Sequence, residues 1–307
     1  MKSPYPLKIG RLLLVAAGLL CTGAVHSLSG AAVPPPTKTG ELIMSEKSRP
    51  LFAMGRNVFF DEGGSHRGLS AAALVWPVDI PEVQHKANSV IGRIALLQYA
   101  PGGGRKVGSI PSFREQTFYV ISGKARFTLG KDRKEVGPGE FVFIPDKLAH
   151  GYEVIGDAPL KMLTAVWRNG DVSEPKPYKA VVTSEKVQPL IRISKEAAGN
   201  HKGISVSFWV SYYGFEPLAI APNSQATWLT LQEFDPDPTV IATNVHSHLD
   251  QEQAFYVLDG KGRFTAGELK QEVGPTELVY APRHVMHGYE VVGTTPLRFL
   301  MMSWKTK

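Results

Sequence analysis

The sequence predicts an all-β protein of two similar domains, each a sandwich or a jelly-roll barrel. Three observations carry that expectation: a long internal duplication, short strand-like runs cut by tight turns, and no helical apolar period beyond the N-terminal run. The 307 residues suffice for two domains, each able to bury its own core. With 43% hydrophobic and 20% charged residues the composition is that of an ordinary globular protein. The 30 Gly and 23 Pro favour turn-rich β structure over helical bundles.

Taken in chain order, residues 1–31 read as a secretory signal peptide. Lys2, Lys8 and Arg11 precede the apolar run Leu12–Val25, and small residues follow, with cleavage expected between Ser27 and Ala32. That run is shorter than the roughly 20 apolar residues a bilayer span needs, so no membrane span is expected in the mature form. The expected location is the periplasm or the secreted fraction. Removing the leader takes the net charge from +6 to 6 − 3 = +3, and no Lys/Arg stripe interleaved with aromatics remains. Nucleic acid is therefore not an expected partner. Cys21, the one cysteine, lies inside the apolar run, so disulfides, thiolate metal sites and cysteine nucleophiles are not expected in the mature chain.

Residues 32–50 (AVPPPTKTGELIMSEKSRP) read as an exposed Pro-rich leader. An N-terminal barrel is expected over 51–180 and a C-terminal one over 181–307, because one unit is written twice. Phe118–Trp167 (FYVISGKARFTLG…EVGPGEFVFIP…HGYEVIG) matches Phe255–Trp304 (FYVLDGKGRFTAG…EVGPTELVYAP…HGYEVVG), with 260 − 123, 282 − 145 and 287 − 150 all equal to 137. A period this long means two similar domains rather than a solenoid. Within the second copy, Phe255–Leu258, Gly262–Ala266, Glu277–Ala281 and Gly288–Val292 carry the β-branched and aromatic residues expected of strands.

Four of the nine histidines fall in one C-terminal window: His246, His248, His284 and His287. His246 and His248 are two apart, which on a strand would place both imidazoles on one face, an arrangement suited to a divalent transition metal. A pair of surface histidines is the bland alternative for an isolated His-x-His.

The wider pattern resembles the cupin superfamily. Its first motif has two histidines, an acid or glutamine, then a glycine turn, here His246-x-His248, Glu252-Gln253 and Gly260. Its second has a proline before a third histidine, here Pro282 and His287. The resemblance covers both repeats and implies a bicupin, two double-stranded β-helix barrels with one metal in the second. It implies His246, His248 and His287 as ligands. Gln253, seven before Gly260, is favoured as the fourth, with Glu252 as the alternative; strand alternation would point Gln253 inward and Glu252 outward. His284 is a candidate acid/base beside the metal, or simply a rim histidine next to Arg283. Tyr256 and Tyr289 read as packing residues, and His66, His85 and His201 have no motif around them.

The first repeat departs from the pattern. Ser109 and Pro111 stand 137 before His246 and His248, although Gln116 and His150 survive, so the N-terminal barrel is expected to be metal-free, with His150 a satisfied core histidine and Arg105, Lys106 and Arg114 ordinary loop charges.

Cupins include dioxygenases, decarboxylases, isomerases, lyases, hydrolases and plain binding proteins, so the resemblance does not choose among them. A three-histidine, one-amide set fits Lewis-acid chemistry on a small oxygen-rich substrate, of isomerase, lyase or hydrolase type, with Zn, Mn, Fe or Ni as the ion. The alternatives are an Fe or Mn dioxygenase of quercetinase type, a ureidoglycine aminohydrolase-like enzyme, and a non-catalytic metal- or sugar-binding bicupin. The expected partner is a small-molecule substrate, and assembly as a homo-oligomer is left open.

Overall fold

The computed structural model describes residues 43–45, 52–53, 65–75, 90–108, 114–168, 180–194, 201, 203–211, 219–220, 224–236 and 245–306. The signal segment with its cleavage site, His85, Ser109 and Pro111 lie outside the described residues. All regular structure among those described is β, and no helix of theirs is long and apolar enough to cross a membrane.

In the N-terminal half, strands run side by side in the order 181–184, 140–144, 114–122, 160–168, 91–108, 150–154, 125–129 and 132–136, with 66–75 joined to 91–108. In the C-terminal half, one sheet has the order 43–44, 278–281, 251–259, 297–305, 226–234, 204–211 and 191–192. A second sheet places 262–266 between 269–273 and 287–291. Large side chains fill each lumen: Phe118, Phe127 and Tyr152 in the first barrel, Phe255, Phe264 and Phe299 in the second. The expected strands all form, and 262–266 has the expected limits. There the burial alternates residue by residue, as it does in its counterpart 125–129, so the pleat alone sorts the lumen face from the outer one.

The duplication is visible in backbone geometry. Gly123 and Gly260 share a left-handed conformation, φ 76° and 70°, in the turn after the first motif. A Cβ there would come within 2.4 Å of the Pro159 carbonyl oxygen or 2.2 Å of that of Pro296, so only glycine fits this turn.

Each barrel gains a strand from beyond its expected bounds. Ile43–Met44 pairs antiparallel with Leu278–Ala281 of the C-terminal barrel, and Val181–Ser184 pairs with Glu140–Ile144 of the N-terminal one. Residues 43–45 are buried, which corrects the expectation of a wholly exposed leader over 32–50. An apolar run of three residues, Leu42–Met44, is too short to announce a strand; Ile43–Met44 is held by the sheet edge it completes. Between the barrels Tyr119 stacks on Trp209 with ring centroids 6.0 Å apart, and Trp167 meets Trp304 at 5.9 Å.

Candidate metal centre

His246 and His287 form an antiparallel backbone pair. The His246 N–H donates to the His287 carbonyl at 2.9 Å, and the His287 N–H returns the bond at 2.7 Å. His287 opens strand 287–291, whereas His246 makes only this isolated bridge and His248 lies in irregular chain. The expectation of a strand carrying His246-x-His248 is thus corrected. Backbone bonds bring the two together instead, because the His284 N–H donates to the His248 carbonyl at 2.7 Å.

The result is a cluster in which one ring nitrogen from each of His246, His248 and His287 lies within 4.8 Å of the others. His246 Nε2 and His248 Nε2 are 3.2 Å apart. Gln253, on strand 251–259, brings Oε1 to 2.9 Å from His287 Nε2, and its side chain also hydrogen bonds His248. His287 donates Nδ1–H to the Val285 carbonyl at 2.9 Å, which fixes the tautomer and leaves Nε2 as a lone pair.

These donors fit a divalent ion. Metal–imidazole bonds of about 2.0–2.1 Å put neighbouring donor atoms about 3 Å apart around one centre, close to the 3.2 and 2.9 Å found here. The protonation state fits too. Burial, reinforced by the charge of His246, holds His287 at about 3 and His248 at about 4. At neutral pH both rings are uncharged, the form that ligates.

Glu252 does not join the cluster. It faces away from the lumen, as alternation requires, but not into solvent: it is fully buried, in register with Trp304. Its counterpart Glu115 (252 − 137) accepts a hydrogen bond from Trp167 Nε1 at 2.9 Å and another from Ser224 of the other barrel. The outer face of this strand is an inter-barrel interface, which a one-chain alternation pattern reads as surface.

His284 keeps its side chain exposed on the rim, outside the cluster, in a left-handed conformation with φ 65°. Lys147, its counterpart in the first copy (284 − 137), has φ 62°, so the position serves the same turn in both barrels. Slight burial and then the Arg283 charge lower its pKa. Tyr256 and Tyr289 are buried packing residues, as expected.

One histidine passed over in the sequence belongs to this neighbourhood. His201 meets His246 edge-on with ring centroids 5.7 Å apart and stacks on Tyr289 at 6.5 Å. Burial, then the charge of His246, lowers it to about 4. No motif surrounds His201, and its approach is made by tertiary structure alone. The first barrel offers a hint of it, since His66 at the start of strand 66–75 likewise enters the lumen beside Tyr99.

The family model for the cupin domain matches this chain twice, over residues 96–166 and 231–303. The chain is a bicupin. Among solved structures the bicupin is similar to the glyoxylate induced protein of Pseudomonas aeruginosa, at TM-score 0.63 and 15% identity over 80% of this chain and 83% of that one. It is similar also to protein Ylba of E. coli, at TM-score 0.60 and 13% identity over 86% and 89%. A deletion mutant of the Bacillus subtilis oxalate decarboxylase matches at TM-score 0.58 and 14% identity over 88% and 78%. At such identities the likeness is one of fold. In sequence, an uncharacterized protein of Methanocaldococcus jannaschii is 33% identical over 67 residues, 22% of this chain, and the bicupin spans about half, 54%, of that relative's length.

Proposed function

We propose that this bicupin is an exported, metal-dependent enzyme whose C-terminal barrel holds one divalent transition ion on His246, His248, Gln253 and His287. The observation that carries the reading is the convergence of three imidazoles within 4.8 Å, with the Gln253 amide oxygen 2.9 Å from His287 Nε2. Bound there, the ion supplies Lewis acidity toward a carbonyl, carboxylate or enol oxygen of a small substrate. With no carboxylate among the proposed ligands, the protein leaves the charge of the ion uncompensated. The name of the oxalate decarboxylase neighbour supports a small carboxylic acid as the substrate class.

The chain's own residues supply orientation and enclosure. Val285 orients His287 through its carbonyl, and the His284 backbone tethers His248. Phe255 and Tyr289 wall the lumen beside His287 and His201, which keeps water from the inner side of the cluster. His201, whose ring meets that of His246, and His284, whose backbone N–H bonds the His248 carbonyl, are the proposed proton carriers, one inside the lumen and one on the rim. The basic, apolar and small-residue pattern of Lys2–Ala32 supports export to the periplasm or beyond. The test is turnover of small keto, hydroxy and dicarboxylic acids by protein loaded in turn with Zn, Mn, Fe and Ni. Loss of turnover on chelation, with recovery on reloading, is expected; turnover indifferent to metal overturns the reading.

A further inference from the structure

The N-terminal barrel lacks the His-x-His pair but is not simply filled with apolar side chains. Its His150 stands where the other barrel has His287, and Gln116 where it has Gln253, each 137 residues earlier. His150 donates Nδ1–H to the Leu148 carbonyl at 3.1 Å, as His287 does to Val285. A neutral imidazole carries one N–H, so His150 Nε2 is a bare acceptor. This residue is 0% exposed, and among the described residues its Nε2 has no hydrogen-bond partner. Gln116 does not serve it, because its Nε2 turns to Thr164 Oγ1 at 3.1 Å.

A guanidinium is held against the backbone of this same residue. In the C-terminal barrel the His287 carbonyl accepts the backbone N–H of His246; in the N-terminal barrel the His150 carbonyl accepts Arg105 Nη1 at 2.6 Å. Arg105 is in register with both His66 and Tyr152, so the three side chains form one row across three strands on the lumen face. Tyr152 and Tyr99 join hydroxyls at 2.7 Å, and Tyr99 reaches His66 Nδ1, which extends the polar strip. The next residues, Lys106 and Val107, are exposed, so the row lies close to the protein surface. Phe118 meets the His150 ring edge-on at 6.3 Å and the Tyr152 ring at 5.3 Å, so the surroundings of His150 are aromatic and favour a small ligand.

We infer that the N-terminal barrel is a second, metal-independent ligand site for a small 2-hydroxy carboxylate, with Arg105 engaging the carboxylate and His150 Nε2 accepting the hydroxyl hydrogen. A guanidinium fork matches a carboxylate, and a buried acceptor that lacks a donor selects a ligand that brings one. A plain carboxylate satisfies only the first requirement. Both barrels would then hold small oxygenated acids, one through a metal and one through a fixed organic cation. The inference does not depend on metal in the C-terminal barrel.

The experiment is titration of glycolate into the chelator-treated full mature chain, followed by calorimetry and by the 15N shifts of the His150 ring. Saturable binding is expected that survives chelation and His246→Ala, weakens about tenfold or more in Arg105→Gln and in His150→Phe, and is about tenfold tighter than for acetate. If either variant fails to fold, the His150 Nε2 resonance of the unmodified chain decides: a shift saturating with glycolate supports the site, and no shift overturns it. Binding absent at roughly 10 mM glycolate, abolished by chelation, unchanged in folded Arg105→Gln or His150→Phe, or equal for acetate also overturns it.

Discussion

Gln253 Oε1 lies 2.9 Å from His287 Nε2, inside the C-terminal lumen, while the adjacent Glu252 is buried on the opposite face of the same strand against Trp304. Two neighbouring residues, both able to ligate a metal, are thereby given different tasks by the pleat. The consequence is that the proposed ligand set, among the described residues, holds no carboxylate.

Gln253→Ala is expected to lower metal occupancy of the purified protein, whereas Glu252→Ala leaves occupancy per folded chain nearly unchanged. Glu252→Ala carries a different cost, because removing a buried polar partner at the inter-barrel face destabilises by about 1–3 kcal/mol. Elemental analysis beside thermal melting separates the two effects. An emptied site in folded Glu252→Ala would make the carboxylate the ligand and move oxygen chemistry on Fe or Mn to the front.

His150→Ala is expected to leave metal content unaltered. The N-terminal barrel places Arg105 against the His150 carbonyl, where the other barrel has the His246 backbone. Loss of metal in this variant would mean that the first barrel also holds an ion.

Acid sensitivity of the chelated protein follows from His150. Burial, then the Arg105 charge, lowers its pKa from 6.5 to about 4. Between those values the unfolded chain binds the proton and the folded one does not, so stability falls as pH drops from about 6.5 to 4 and rises in the other direction. The full contribution is about 3 kcal/mol, an upper figure for one site. Denaturant unfolding at pH 7 and pH 5 should show a smaller loss in His150→Phe than in the unmodified chain. Equal losses would mean that His150 is not held neutral.

Gly260→Ala is expected to destabilise the C-terminal barrel by about 2 kcal/mol or more, since positive φ and a blocked Cβ position act together. The added methyl would sit 2.2 Å from the Pro296 carbonyl oxygen. A melting temperature matching the unmodified protein would show that this turn yields without strain.

The barrels, their strands and the turn glycines were legible in the sequence because each depends on local periodicity that the duplication prints twice. His246, His248, Gln253 and His287 could be named because their spacing survives as a motif. His201 could not, since its nearness to His246 comes from the closing of the barrel and leaves no local trace. The added strands at Ile43–Met44 and Val181–Ser184 escaped for the same reason: what fixes them is the partner edge. The true surroundings of Glu252 stayed hidden because alternation separates two faces without saying whether the outer one meets water or a second barrel.

Metal stoichiometry of the full mature chain tests the central claim most directly. Elemental analysis after purification without chelator should find about one divalent transition ion per chain, falling to near zero in His246→Ala and in His287→Ala, with both variants still folded by circular dichroism. Metal retained in those folded variants, or a metal-free wild-type protein that takes up no Zn, Mn, Fe or Ni, would contradict the account.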